Sequence, residues 1–303
     1  MSARSATLLV ALVLWAACTG AQAPVTPAGP GAAAVDTAQV RAAGPQFSDA
    51  RAVAVDGRGT IYVADAASDA VYRLAPDFTI TEVIGGPGTG DYAFLSPAGV
   101  DPTNGLTLYV ADSGNGRIQR FSHEGRLLES VPVPADPEAA LARREAGTDR
   151  GRPLAVAAAP AGELYAIDEG RAVVLRWDDR RSLERVVGGA EAGRGALRRP
   201  VDLALLDDRR LAVADAGLQS VLLYDAFGAF ERRLADGTAR DVRAVAASGD
   251  RLAIILPKHV LIYSTTGMLL ETLVVDVPEP LVGGALTARG LVLLTRSRLW
   301  EVQ

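Results

Sequence analysis

Six times along this chain, a residue that opens one short apolar run stands 15 residues ahead of the residue that closes the next such run. The pairs are Ala50/Asp65, Pro97/Asp112, Pro153/Asp168, Pro200/Asp215, Asp241/Leu256 and Pro280/Thr295. The closing runs, residues 61–65, 108–112, 164–168, 211–215, 252–256 and 291–295, are continuously apolar up to that last residue, the pattern of a strand buried on both faces. A turn such as Asp56-Gly57-Arg58-Gly59 or Ser248-Gly249-Asp250 separates each from the preceding run, so the two strands form a hairpin. A third run follows each closing residue, as in 71–74 and 221–224, and a fourth follows in the first five copies, as in 80–84 and 269–273. Successive copies start 47, 56, 47, 41 and 39 residues apart, close to the length at which four-stranded sheets stack radially around an axis. The expectation is an all-β, six-bladed propeller with four-stranded blades.

The sixth copy stops after its third strand at the end of the given sequence, so its outer strand must come from elsewhere. The spare stretch from Thr37 to Gly44, ahead of the first copy, is expected to pair with residues 298–302 and close the ring.

The second copy carries the clearest pattern: a glycine-rich lead-in from Gly85 to Gly90, then Pro97-Ala98-Gly99, Leu108-Tyr109-Val110-Ala111-Asp112 and Asn115-Gly116-Arg117-Ile118. These residues resemble the NHL-repeat six-bladed propellers. The resemblance is nearly complete in this copy and coarser in the others; the fifth and sixth copies lack the aspartate. Among related folds, amidating lyases hold zinc with several histidines, streptogramin-type lyases need a histidine near the axis, and lactonase propellers hold calcium with carboxylate and amide oxygens.

With 49% hydrophobic and 22% charged residues, 303 residues suffice for one such ring with a full core. A net charge of −5 argues against nucleic acid as a partner, because phosphate neutralisation needs a basic face.

Arg4 precedes an apolar run from Leu8 to Ala17, too short to span a membrane and shaped as a secretory signal. Ala16 and Ala17 stand before Cys18, the only cysteine, and this resembles the lipobox at which bacterial lipoproteins are cleaved and acylated. Trp15 stands where that motif prefers leucine. The expected organisation is a signal peptide over 1–18 with Cys18 lipidated, an Ala/Pro/Gly-rich tether over 19–36, and the propeller over 37–303 with an inter-blade insertion at 135–150. The protein is then exported, as a periplasmic, outer-membrane or cell-surface lipoprotein, monomeric and membrane-associated by its lipid alone. Cleavage after Ala21 would instead give a soluble secreted form.

Chemistry is sparse. Asp65, Asp112, Asp168 and Asp215 could form a carboxylate ring, but their recurrence at a strand end suits turns whose backbone N–H groups they accept. His123 and His259 both fall outside the innermost strands, and with Cys18 outside the repeats there is no thiol nucleophile. Possible oxygen ligands near the axis are Asp101, Asp202, Asp49 and Asp241. Asp202 and Arg243 stand at the same offset in neighbouring copies, which suggests an ion pair across a blade interface or a substrate-facing pair.

The face that carries the inter-blade connections and the turns between second and third strands is arginine-weighted. Its candidate binding residues are Arg51, Arg152, Arg194, Arg198, Arg199 and Arg243, with Asp202 beneath them; Arg143, Arg144, Arg150 and Arg240 lie on the same face. Arginine's planar fork suits carboxylate or phosphate. Asp136-Pro137 followed by 139–146 and Gly147 is expected as a short capped helix in the insertion. The expected function is a non-catalytic scaffold, without cofactor, that binds a protein, a peptide or an anionic envelope ligand. The alternative is a metal-dependent hydrolase, lactonase or lyase with its site at the axis, where calcium would be the cofactor.

Overall fold

In the computed structural model the described residues are 34–302 apart from 103–104 and 144–149. The signal segment with Cys18, the tether up to residue 33 and the second half of the insertion, with Arg144 and Gly147, lie outside them.

Two strands precede the first blade, β1 (Ala34–Thr37) and β2 (Val40–Gln46). Blade one is β3 (Ala50–Val55), β4 (Ile61–Asp65), β5 (Ala70–Leu74) and β6 (Ile80–Gly85). Blade two is β7 (Pro97–Asp101), β8 (Thr107–Asp112), β9 (Arg117–Ser122) and β10 (Leu127–Pro132). After a short helix, α1 (Pro137–Arg143), blade three is β11 (Pro153–Ala158), β12 (Leu164–Asp168), β13 (Val173–Trp177) and β14 (Leu183–Val187). Blade four is β15 (Pro200–Leu205), β16 (Leu211–Asp215), β17 (Ser220–Tyr224) and β18 (Phe230–Leu234). Blade five is β19 (Ala244–Ser248), β20 (Arg251–Ile255), β21 (His259–Ser264) and β22 (Leu269–Val274), and the sixth is β23 (Leu281–Thr287), β24 (Gly290–Thr295) and β25 (Arg298–Val302).

The 15-residue offset is a cross-strand pair in four blades: Ala50 faces Asp65, Pro97 faces Asp112, Pro153 faces Asp168 and Pro200 faces Asp215. In each of these blades the register then slips at a bulge one or two residues in, which turns the start of the strand away from the sheet. The fifth and sixth copies depart from the expected pairs. Blade six pairs Leu281 with Thr295, one residue later than Pro280, and blade five begins only at Ala244, opposite Ile255.

Closure follows the expected route with shifted bounds. β2 pairs antiparallel with β25 and supplies the fourth strand of the last blade, from Val40 opposite Val302 to Gln46 opposite Arg298. β1 adds something the sequence did not suggest. It lies parallel to β22 as a fifth strand of blade five, so Ala34 to Asp36 belong to a sheet rather than to the tether.

Second strands such as β4, β12 and β16 are buried along their whole length, whereas the outer strand β6 is largely exposed and β14 partly so. The core is therefore not one centre but six buried clusters among the described residues, each between two neighbouring blades. Across blades one to three a second-strand tyrosine carries a third-strand arginine over its ring: Arg73 on Tyr62, Arg120 on Tyr109 and Arg176 on Tyr165, at 5.5, 5.6 and 5.9 Å. Those arginines serve the sheets and are not free to bind ligand. In the insertion, the Asp136 carboxylate accepts the Ala139 N–H at 3.0 Å and caps α1 as expected. Among the described residues no helix is long and apolar enough to cross a membrane.

Candidate functional site

Each of β3, β7, β11, β15, β19 and β23 lies at the end of its sheet order, leaving one edge without a strand partner. All six line a single cavity of about 770 Å³, within the size range of small-molecule sites. Its wall is mostly small and apolar, with Ala54, Gly99, Ala155, Ala204, Ala246 and Gly284 each contributed by a different blade. Two carboxylates, Asp101 and Asp202, interrupt it.

The mouth is built by the loops that lead into the blades and by the turns after the second strands. It brings together Arg51, Arg152, Arg198, Arg199 and Arg243, five of the six arginines expected there, and adds Arg296, which follows the closing residue of blade six. Four of these six arginines have acidic partners. Arg51 and Arg296 share Asp49 at 2.5 and 3.2 Å, Arg152 meets Glu169 at 3.3 Å, and Arg243 meets Asp241 at 2.7 Å. Arg198 and Arg199 are exposed and, among the described residues, take part in no ion pair. Their backbone is fixed from below: both amides donate to the buried Asp215 carboxylate, at 2.7 and 3.1 Å.

Arg194 does not belong to the mouth. It sits in a 3-10 turn at Ala190–Gly195 with its guanidinium 6.0 Å from the Phe230 ring centre, against the outer strand β18. Closeness in sequence to Arg198 is undone because this turn lies against the rim of the blade before the chain comes in to β15.

Asp202 and Arg243 form no ion pair. The bulge at the start of β15 places Asp202 opposite Ala214, and the residue in the same register of blade five is Ala244, so Arg243 falls one residue short and turns to Asp241. The Asp202 carboxylate instead crosses the blade interface to accept the Val245 N–H at 2.9 Å. Burial pushes its pKa up to about 7, against the Val245 and Leu203 amides, which favour the ionised form. Asp101, buried near the far end of β7, makes the equivalent bond to the Ala158 N–H of blade three. Both bridges satisfy an amide on an inner-strand edge that no strand covers.

The strand-end aspartates act as fasteners. Asp65 accepts the amides of Ser48 and Asp49 ahead of β3 and of Ala67 and Ser68 after β4, at 2.7 to 3.2 Å. Asp112 accepts the Leu95 amide at 2.8 Å, Asn115 at 2.9 Å and the Arg117 guanidinium at 2.8 Å. Asn115 and Arg117 also donate to the carbonyls of Gly88 and Gly90, tying the glycine-rich lead-in to the blade. Gly85 in that lead-in has φ +88°, and a Cβ there would stand 2.3 Å from the Phe94 ring. Asp168 accepts the Arg152 and Gly170 amides, both at 3.2 Å, and burial raises its pKa.

Neither His123 nor His259 lines the cavity. Among the described residues no group of three or more His, Cys, Asp or Glu side chains is placed to hold a metal ion. Asp49 and Asp241 are occupied by arginines, and Asp101 and Asp202 by backbone amides on different blades. The donor set therefore does not fit a calcium centre, which takes six to eight oxygens.

Six blades, a strand from the N-terminal side closing the ring and one axial cavity define the class, a six-bladed β-propeller. Within that class it is a propeller that carries an NHL repeat: the NHL repeat family matches residues 94–121, which run from Phe94 into β9 of blade two. Among curated proteins, sequence comparison finds no match. Among solved structures, virginiamycin B lyase from Staphylococcus aureus is similar with a TM-score of 0.60 at 11% identity, covering 88% of this chain and 98% of that one. Its catalytically inactive histidine-to-alanine form with quinupristin gives a TM-score of 0.59 at 10% identity, covering 88% and 99%. A candidate gluconolactonase gives a TM-score of 0.66 at 17% identity, covering 88% and 92%. At these identities the likeness establishes the fold alone.

Proposed function

We propose that this propeller is an exported, non-catalytic binding scaffold whose ligand, a peptide, a protein segment or an envelope component, presents a carboxylate or phosphate to the arginine mouth of the axial cavity. The observation that carries this reading is the pair Arg198 and Arg199: exposed, without ion pairs among the described residues, and set at the cavity rim by amide bonds to Asp215. Two unpaired guanidiniums on a fixed backbone keep ten N–H donors available in the fork geometry that anionic groups accept. Among the described residues that line the rim, three carboxylates, Asp49, Glu169 and Asp241, stand against six arginines.

The alternative is an axial hydrolase, lactonase or lyase, favoured by neighbours described as a lyase and a candidate gluconolactonase. Against it stand the lack of converging metal donors among the described residues and the position of both histidines away from the cavity.

Calorimetric titration with citrate and with pyrophosphate tests the binding reading. Wild-type protein is expected to bind at least one of them, more weakly as salt is raised because exposed charges are screened. The double variant Arg198→Glu/Arg199→Glu should bind about tenfold more weakly or worse, a loss near 1.4 kcal/mol. Equal affinity in both proteins, or lactone or cyclic-ester turnover by the purified wild type, rejects the scaffold reading.

A further inference from the structure

Asp202 is the one ionisable side chain of the inner strand β15, and it lines the cavity just inside the rim that Arg198 and Arg199 form. The strands on either side of it, β11 and β19, carry no ionisable residue at all. Beyond β15, the second strands β12 and β16 offer Tyr165, whose ring carries the Arg176 guanidinium, and Asp168 and Asp215, each already bound to backbone amides. Among the described residues no side chain donates to the Asp202 carboxylate, which accepts the Val245 N–H. A carboxylate with no cationic partner, open to a cavity whose rim bears unpaired guanidiniums, creates two poles of opposite preference. Arg199 precedes Asp202 by three residues, about 10 Å of extended chain.

We propose that the cavity takes a two-ended ligand, with a carboxylate at the arginine rim and a protonated amine on Asp202, the chemistry of a short free peptide. The proposal rests on the anion-binding reading of the rim and adds the second contact. A carboxyl group held near neutrality by burial, with no cation beside it, is a group that an ammonium would ionise and pair with. The small apolar wall between the poles, including Ala204 and Ala246, suits small side chains and supplies no competing charge. Asp101 lines the same cavity at its far end but is buried and has other partners, so Asp202 is the nearer and more open acceptor.

Dialanine and trialanine are suitable probes, since their charged ends lie about 7–11 Å apart when extended. Each is titrated calorimetrically beside its N-acetyl and its C-amide form. At least one free peptide is expected to bind, and both N-acetylation and C-amidation should weaken it about tenfold or more. In Asp202→Asn, which keeps an acceptor for the Val245 amide, N-acetylation should no longer matter. In Arg198→Glu/Arg199→Glu, amidation should no longer matter. Below neutral pH, binding of the free peptide to wild type should also release a proton from Asp202, so the measured heat should follow the ionisation heat of the buffer; Asp202→Asn should lose this signature. If the N-acetyl peptide binds as well as the free one, or if its penalty persists in Asp202→Asn, the two-ended site is wrong. Citrate binding without any peptide binding also overturns it while leaving the anion-binding rim intact. Failure of citrate, pyrophosphate and peptides alike removes both.

Discussion

Two kinds of aspartate do opposite work in this ring. Asp65, Asp112 and Asp215 are fully buried, and each accepts several donors that a lost carboxylate would leave unsatisfied. Asp202 is approached by backbone amides alone and has a carboxyl group that resists ionisation, so it costs stability whenever it is charged. The direction follows from proton linkage. Its folded pKa of about 7 lies above the unfolded value of 3.8, so between these the folded state holds more protons and stability falls as pH rises, levelling off above the upper value. Replacing Asp202 by Asn removes the ionisation but keeps an oxygen for the Val245 amide. The variant should therefore gain on wild type as pH rises from about 4 to about 7, and hold that gain at higher pH. Urea unfolding midpoints of the two proteins across this range check it; a constant difference would mean that Asp202 titrates normally in the folded protein.

Among the elements, the strands that precede blade one carry the closure, and they do so unequally. β2 is a seven-residue antiparallel partner for β25, with Ala43 buried and Phe47 immediately after it packed between blades six and one. β1 has four residues on the outer edge of blade five, and Val35 there is 69% exposed. Removing residues 34–37 should therefore barely change the melting temperature. Removing 34–46 should lower it by about 10 °C or more, because several kcal/mol of closing contacts are lost at about 2–4 °C per kcal/mol in a domain of this size. Differential scanning calorimetry of the two truncations checks this, and similar melting in both would show that the ring does not depend on its closing strand. The same contrast explains what could be read from sequence. Inner hairpins were legible because their 15-residue offset is a physical cross-strand pair, and β2 because blade six visibly lacks a strand. β1 was not, since Ala-Val-Asp-Thr on an edge has neither a buried period nor a turn signal, and its partner is set by the whole fold. The arginine rim was legible as a face, with two errors. Arg194 was misplaced because the 3-10 turn at Ala190–Gly195 interrupts the loop, and Arg296 was missed although it follows a closing position as the other rim turns do. The Asp202 partner was beyond a pattern of side chains, because it is a backbone N–H on the next blade.

At the scale of the whole molecule, a net charge of −5 coexists with an arginine-weighted rim, so the proposed binding of an anionic ligand would depend on a local field rather than on overall charge. The chain joins the ring through β1 and β2, on the outer strands of blades five and six, and neither strand contributes to the cavity lining. An attachment there leaves the rim open, which suits the proposal that the scaffold is anchored by a lipid on Cys18. Fifteen residues separate Cys18 from Ala34, enough for a reach of up to about 55 Å when extended. One acyl chain gives only marginal binding, whereas the several chains of a processed lipoprotein cysteine would hold the propeller firmly. Metabolic labelling with a fatty acid should therefore mark the wild type and not Cys18→Ser, and the wild type should partition with membranes while the variant is released. The variant should keep its affinity for citrate, because the rim arginines are unchanged in it. Equal release of both proteins into the soluble fraction would refute the anchor and leave a cleaved soluble form, with the same rim and cavity, as the proposal to test.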